Sequence, residues 1–279
     1  IAGAGGVLGR ELVRAALARG DHVAALVLRK GELRVIEHPR LRIIEADVTK
    51  PEQLAGICKG FAQVVSCIGI TRLKGNLTHE VVDYRGNLNL LSEARRAGVA
   101  RFGFISPAGT EIGWDQAPLL NAKHRFEQAL RNSGMPWVIF RSGGFFPDLA
   151  EMKALAAKSP LYAIGRGDSR STPIHIPDLA AIMLAEMNRQ ENVVVEVGGP
   201  EDLTWRETCA LCFEVQGLPA RIQNAPVWLC KLALVFIHPF SYRYWAMGRL
   251  LLFMSTHDVC TPKRGTVKLR DYLAHHGAG

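Results

Sequence analysis

Two hydrophobic periods alternate along the first half of the chain. Near-continuous apolar runs fall at 22–28, 41–46, 63–69, 100–106 and 137–141. Between them, 7–19, 51–59, 79–97 and 117–133 repeat apolar residues three and four apart, as at 119, 120, 126, 129 and 130. That spacing is one face of a helix. Strands that are apolar throughout are covered on both sides, and strands alternating with helices join through right-handed crossovers. The pattern predicts an α/β fold with a Rossmann-type, doubly wound parallel sheet.

Beyond about residue 145 the alternation loosens. A polar, glycine-containing loop at 166–171 precedes a short strand at 174–176 and a helix at 177–188 with Pro177 in its first turn. A strand at 193–197 and the turn Gly198-Gly199-Pro200 follow. Thr204 and Glu207 then open a helix over 204–216 with the spacing of a capping box. We expect residues 1–150 to form the Rossmann domain and 151–279 a smaller C-terminal lobe, for substrate or interaction, integrated with the same fold.

The first chemistry lies at the start. Gly3-Ala4-Gly5-Gly6-Val7-Leu8-Gly9 is a GxxGxxG run opening a helix. Such a turn needs one glycine for its backbone, one for close approach of a pyrophosphate and one for packing of helix on strand. The helix N-terminus then offers N–H groups and positive dipole to phosphate. Gly3, Gly6, Val7, Leu8 and Gly9 are therefore expected to hold a dinucleotide. Only the last residues of a strand, Ile1 and Ala2, precede the turn, and a few further residues are expected before them in the natural protein.

Cofactor choice is read about 20 residues on, where an acidic residue would accept from a ribose 2′-hydroxyl. This chain has Arg29 and Lys30 there, which suit a 2′-phosphate. NADP(H) is thus preferred, with NAD(H) as the alternative. Asp47 and Val48 end the next strand, placed either for the adenine or, for Asp47, to cap the following helix. Cys67, Ile68 and Gly69 end the fourth strand, where backbone passes close to the cofactor.

Beyond the glycine turn, the segments Leu26-Val27-Leu28-Arg29, Glu45-Ala46-Asp47-Val48 and Val64-Val65-Ser66-Cys67-Ile68-Gly69 form a set. It continues with Asp83-Tyr84-Arg85-Gly86-Asn87, Phe104-Ile105-Ser106, Ala122-Lys123, Phe140-Arg141-Ser142-Gly143-Gly144-Phe145-Phe146 and Ile174-His175-Ile176-Pro177-Asp178. Over residues 1–200 the chain resembles the atypical short-chain dehydrogenase/reductase superfamily, in its NmrA-like and isoflavone-reductase-like branch. The resemblance implies a serine, tyrosine and lysine set, with the tyrosine as acid/base and four residues before the lysine. Ser106 and Lys123 match; the tyrosine position holds Leu119, which transfers no proton. Three outcomes follow. Lys123, with Ser106, serves catalysis or positions the nicotinamide ribose; Tyr84, Tyr162 or His175 takes the acid/base role; or the cofactor is bound without turnover.

Two apolar runs, 227–237 and 245–254, dominate the end of the chain. Neither approaches the roughly 20 residues that cross a bilayer. Net charge is +8, and residues 221–279 hold eight lysines and arginines against only Asp258 and Asp271. The segment 227–254 is read as packing on the protein's own core, walling a pocket for an apolar substrate, pairing two subunits, or meeting an anionic membrane surface. The basic residues form no groove-binding stripe, so nucleic acid is not an expected partner.

The remaining composition adds little: 48% hydrophobic and 22% charged residues fit a globular protein with a large core. Six scattered cysteines read as reduced thiols of a cytoplasmic, at most membrane-peripheral, protein. Cys209 and Cys212 form a CxxC inside a helix without a second pair to complete a zinc site, and no metal is expected. The leading expectation is an NADP(H)-dependent oxidoreductase that reduces a carbonyl or conjugated double bond of a small apolar substrate. A non-catalytic NADP(H)-binding redox sensor or assembly factor is the alternative, and NAD-dependent epimerase or dehydratase chemistry is the third.

Overall fold

The computed structural model describes residues 1–33, 36–70, 75 and 77–275. In chain order the first half runs α1 (Val7–Ala18), β1 (Val23–Val27), β2 (Leu41–Glu45), β3 (Gln63–Ser66), α2 (Asn87–Arg96), β4 (Arg101–Pro107), α3 (Thr110–Gly113), α4 (Pro118–Arg131) and β5 (Trp137–Ser142). The second half runs α5 (Phe146–Ala156), β6 (Leu161–Ile164), β7 (Arg170–Ser171), α6 (Ile176–Glu186), β8 (Val193–Val197), β9 (Leu203–Thr204), α7 (Trp205–Glu214), β10 (Ile222–Ala225), α8 (Val227–Ile237), α9 (Tyr242–Thr256) and α10 (Leu269–His275). Residues Glu80–Gly86 wind as a π-helix that continues directly into α2.

The chain folds as two compact units that share it unevenly. The first holds 1–106, 121–140 and 179–195; the second holds 107–120, 141–178 and 196–279. The stretch expected to be one domain at 1–150 therefore contributes 107–120 and 141–150 to the second unit, and 179–195 returns to the first.

In the first unit, β1 pairs β2 in parallel and β3 pairs β4 in parallel. Ala2 bridges Leu26 on one side and Ser66 on the other, so the residues before the glycine turn lie between β1 and β3. The sheet continues in the order β3-β4-β5-β8. This is the parallel, helix-flanked Rossmann-type sheet that the apolar runs predict. β5 is buried at every position and β4 at all but its last residue, as continuous apolar strands require. On α1, Leu8, Leu12, Val13, Ala16 and Leu17 are buried, the four-residue recurrence of a core-facing stripe. Phe102, Phe104, Phe126 and Leu130 anchor the core of this unit.

In the second unit β6 pairs β10 in parallel. Phe146, Leu161, Phe213, Leu269 and Leu273 pack with Cys209 and Cys212 in its core. The predicted capping box on α7 is formed: Glu207 N donates to Thr204 Oγ1 at 3.1 Å, and Thr204 N to Glu207 Oε2 at 2.8 Å. Burial pushes the Cys209 thiol up to about 12 and the Cys212 thiol up to about 11.

Two predicted elements differ. The helix expected over 51–59 is a single 3-10 turn, Pro51–Leu54, because Gly56 takes φ +78°, outside helical space. The strand expected at 174–176 is one isolated bridge, Phe145 to Ile174. Pro173 and Pro177 lack the N–H groups that would extend a ladder there.

Candidate functional site: a dinucleotide cradle with a buried lysine

Two glycines make the first turn possible. Gly3 has φ +74°, and a Cβ on it would fall 2.8 Å from the Cys67 carbonyl oxygen. A Cβ on Gly9 would run into the Gly3 carbonyl, so α1 packs on the turn only because both positions are bare. Gly6 is the N-cap of α1 and supplies no side-chain cap, and the first turn contains no acidic residue. The Val7, Leu8 and Gly9 N–H groups at that end have no intrahelical acceptor. Together with the helix dipole they form a cradle suited to a pyrophosphate. Leu8 itself is buried, so only its backbone is available to a ligand.

Arg29 is exposed beyond the end of β1, and the Lys30 side chain lies outside the described residues. A residue the sequence reading passed over stands beside them. Glu32 lies against Gly5, in the space a side chain there would need. Asp47 braces its own turn: Oδ1 accepts from Thr49 N at 2.9 Å and from Thr49 Oγ1 at 2.7 Å. The Val48 carbonyl accepts from Asn89 Nδ2 at 2.9 Å, which ties this loop to α2.

The third edge is a polar network at the end of β3. Ser66 Oγ donates to Asn87 Oδ1 at 2.5 Å, and Asn87 Nδ2 donates to the Asp83 carbonyl at 2.7 Å. The Asp83 side chain is fully buried and meets His79 Nδ1 at 3.1 Å and Lys123 Nζ at 3.5 Å. Lys123, also buried, donates to the Ile68 carbonyl at 2.7 Å and the Ile105 carbonyl at 3.4 Å, with its ammonium over the Phe104 ring. A Cβ on Gly69 would fall 2.8 Å from Asp83 Oδ1 and 2.9 Å from Lys123 Nζ. Gly69 is thus bare so that this pair can reach the strand end. Cys67 completes the edge through its backbone: its N–H donates to the Ala2 carbonyl at 2.8 Å, and burial pushes its thiol up to about 12.

Besides Glu32, three functional candidates escaped the sequence reading: His79, Asp83 and Asn87. They recur every four residues in a helical run, so their signal is polar residues on a face otherwise apolar at Val82, Leu90 and Leu91. The π-helix over Glu80–Gly86 is a further pointer, since such windings occur frequently at functional sites.

The other predicted residues lie as follows. Ser106 is buried near the end of β4. Leu119 is buried one turn before Lys123 on α4, an apolar group in the acid/base position. Tyr84 lies beneath Arg125 at 3.9 Å from its guanidinium carbon, packed against the first unit's core. In the second unit, Tyr162 is exposed on β6. His175 packs beside the Phe146 and Tyr272 rings, which also touch each other, and its Nδ1 lies 3.7 Å from Asp178 Oδ1. Burial works to raise the Asp178 carboxyl, but bonds from the Thr266 and Val267 N–H groups outweigh it and hold it below the ordinary value.

Known proteins resemble this chain in sequence and in fold. Over 255 residues the chain is 26% identical to the photosystem II assembly factor Ycf39 of Synechocystis sp., covering 90% of this chain and 77% of that protein. It is 29% identical over 268 residues to the chloroplastic divinyl chlorophyllide a 8-vinyl-reductase of Oryza sativa subsp. indica, covering 85% and 65%. A nucleoside-diphosphate-sugar epimerase from Staphylococcus aureus shares the fold, with a TM-score of 0.76 at 18% identity over 98% of each chain. Residues 3–190 match the family model for NAD(P)H-binding proteins. That span contains the glycine turn, the Asp47 loop and the Asp83–Lys123 pair, and the chain belongs to the NAD(P)H-binding family.

Proposed function

We propose that the protein is an NADP(H)-dependent reductase of a small, apolar, conjugated acceptor such as an enone or a quinone. The buried Lys123–Asp83 pair carries this reading. A buried ion pair is commonly no more stabilising than apolar residues of the same volume, so the fold alone gives little reason to keep one. Its place at the strand ends, beside Gly69, is where the resemblance puts the nicotinamide ribose. Lys123 is there a positioning residue, its ammonium held by two carbonyls and a carboxylate.

The glycine turn and α1 would hold the pyrophosphate and Arg29 the 2′-phosphate, while Lys123 would fix the Ile68 and Ile105 carbonyls and Asp83 beside the ribose of the nicotinamide. The bound cofactor supplies a hydride. No tyrosine stands where the resemblance calls for a proton donor: Leu119 occupies that position, and the Lys123 ammonium is tied to protein acceptors. Reduction of an isolated ketone would leave a localised alkoxide needing an acid at once. Reduction of a conjugated acceptor leaves a delocalised anion that water can protonate. The substrate class follows from that difference. The similarity to a divinyl chlorophyllide a 8-vinyl-reductase, whose name specifies reduction of a vinyl group, supports the same class.

The test is cofactor consumption by the purified protein against quinones, enones and aliphatic ketones. Conjugated acceptors should be reduced, aliphatic ketones should not, and Lys123→Met should lose most of the activity. Arg29→Glu should weaken NADPH at least tenfold more than NADH. Equal effects would refute the 2′-phosphate assignment. Because the Glu32 carboxylate would repel a 2′-phosphate near Gly5, Glu32→Gln should tighten NADPH.

A second reading rests on Leu119 itself: a cofactor-binding assembly factor without turnover, like the Ycf39 proteins by name. Tight NADPH binding with no acceptor reduced, unchanged in Lys123→Met, would establish it over the first.

A further inference from the structure

The last apolar segment folds as a pair of helices, of which α8 and the link to α9 turn most of their apolar side chains outward, while α9 adds Tyr244 and Leu251. α8 is apolar at every position but Lys231, yet Leu234 is its only buried residue. It packs against Gly248 of α9. Trp228 is 67% exposed, Val235 68%, Phe236 65% and Tyr244 64%. Phe240, in the link between the helices, is 88% exposed. A helix that is apolar all round belongs in an apolar medium. Large aromatic side chains bury about 150–250 Å² each, so Trp228, Phe236, Phe240 and Tyr244 alone expose roughly 500 Å² of apolar surface. That falls within the range of the largest patch on a typical monomer, about 300–600 Å², which is often functional.

Charge selects the occupant. From Arg221 to His257 the chain carries Arg221, Lys231, Arg243 and Arg249 and no aspartate or glutamate. Lys231, His238 and Arg249 also line a groove of about 430 Å³ between the two helices, whose floor is Leu234, Trp245 and Leu252. Basic groups around an apolar groove match an anionic lipid headgroup above its acyl chains. A second copy matches poorly. A two-fold interface sets the same patch against itself, and α8 and α9 themselves offer no carboxylate to receive the partner's lysine and arginines. Nor can the segment cross the bilayer. α8 has 11 residues, about 16 Å at 1.5 Å per residue, against a hydrocarbon core of about 30 Å.

We infer that the α8–α9 pair is an in-plane docking surface for anionic lipid bilayers, with Trp228, Phe236 and Phe240 entering the acyl boundary and Lys231 and Arg243 meeting headgroup phosphates.

Vesicle co-sedimentation of the full chain tests this. Vesicles of phosphatidylcholine alone should retain little protein, and vesicles of equal parts phosphatidylcholine and phosphatidylglycerol should retain most of it. Raised salt should weaken the binding. Lys231→Glu with Arg243→Glu should lower partitioning at least tenfold, as should Phe240→Asp. These side chains are exposed, so both variants should fold and bind NADPH as the parent does, which separates this test from the cofactor assay. Trp228 fluorescence should shift to the blue on binding. Equal retention by both vesicle types, or charge reversal without effect, would overturn the inference. So would a concentration-dependent dimer abolished by Phe240→Asp in a protein that ignores vesicles, which would give the surface to a second copy. Capture by an acidic protein with no vesicle binding would likewise give it to a protein partner.

Discussion

Replacing Lys123 by methionine tests the central feature of the site. Methionine nearly preserves the length and volume of the side chain and removes only the ammonium. Asp83 is then left fully buried, retaining His79 Nδ1 at 3.1 Å and the Ile70 N–H at 3.4 Å but no lysine. Breaking a buried pair by removing one partner costs about 3–5 kcal/mol, a large part of a typical stability of about 5–15 kcal/mol. The reverse change is milder. In Asp83→Asn the ammonium keeps the Ile68 and Ile105 carbonyls at 2.7 and 3.4 Å, so what is lost is the 3.5 Å ion pair, and the cost should fall below that of Lys123→Met. The double variant carries neither charge. It should be less destabilised than the sum of the two single changes, with a coupling of about 0.5–3 kcal/mol. Urea unfolding midpoints of the four proteins, compared at constant slope, measure this directly. A loss below about 1 kcal/mol for Lys123→Met, or strict additivity, would refute the buried pair and with it the argument that the pair is kept for function.

Three further outcomes follow from single sites. Gly3→Ala should cost about 1–2 kcal/mol in left-handed backbone strain plus a clash with the Cys67 carbonyl at 2.8 Å, and should abolish nucleotide binding. Gly134→Ala, at φ +75° with no neighbour within 4 Å, should cost the strain alone, so melting temperatures of the two separate the terms. Asp178 has its carboxyl lowered from 3.8 in the folded protein. Its contribution is therefore complete above about pH 4 and is lost as pH falls through the lowered value. The stability gap between the parent and Asp178→Asn should close in acid, and a gap that widened there would contradict the Thr266 and Val267 bonds. Finally, iodoacetamide at mildly alkaline pH should label exposed Cys260 while Cys209 and Cys212, buried with thiols at about 12 and 11, react only on unfolding. Early labelling of either, read by mass spectrometry, would sink the packed-core assignment.

What the sequence disclosed about the site tracks how local each cause is. Gly3 and Gly9 are legible because a bare Cα is demanded by atoms only a few residues away or by the next strand end. The buried runs of β4 and β5 are legible because both faces of each strand are covered. The Lys123 network was half legible: the lysine has a match in the resembling proteins, but its carboxylate partner lies forty residues upstream, on a π-helix whose pitch no 3.6-residue period anticipates. Glu32 escaped for a related reason, since it meets Gly5 only after a 3-10 turn folds Lys30–Leu33 back. In the second unit, α5 went unread. Its apolar residues at 146, 149, 150, 152, 154, 155 and 156 are distributed around the helix and give it little amphipathic stripe. β6 and β10 were missed because each is four residues long and is defined by the other, far along the chain.

The two proposals rest on separate physics and converge on one chemical requirement. In the first unit, an acid group is missing beside Lys123, and the acceptors that tolerate its absence are conjugated and apolar. Compounds of that kind partition into bilayers rather than water. In the second unit, α8 and α9 carry an apolar surface with basic residues and no carboxylates, chemistry that matches a bilayer surface. A reductase docked there would meet its acceptor at the concentration held in lipid, and the gain should appear in KM rather than kcat. Anionic vesicles loaded with a quinone should lower the apparent KM of the parent protein and leave that of the Lys231→Glu, Arg243→Glu variant unchanged, with equal kcat in the two. If vesicles lowered KM equally for both, the docking surface would have no part in delivering substrate, whatever it binds.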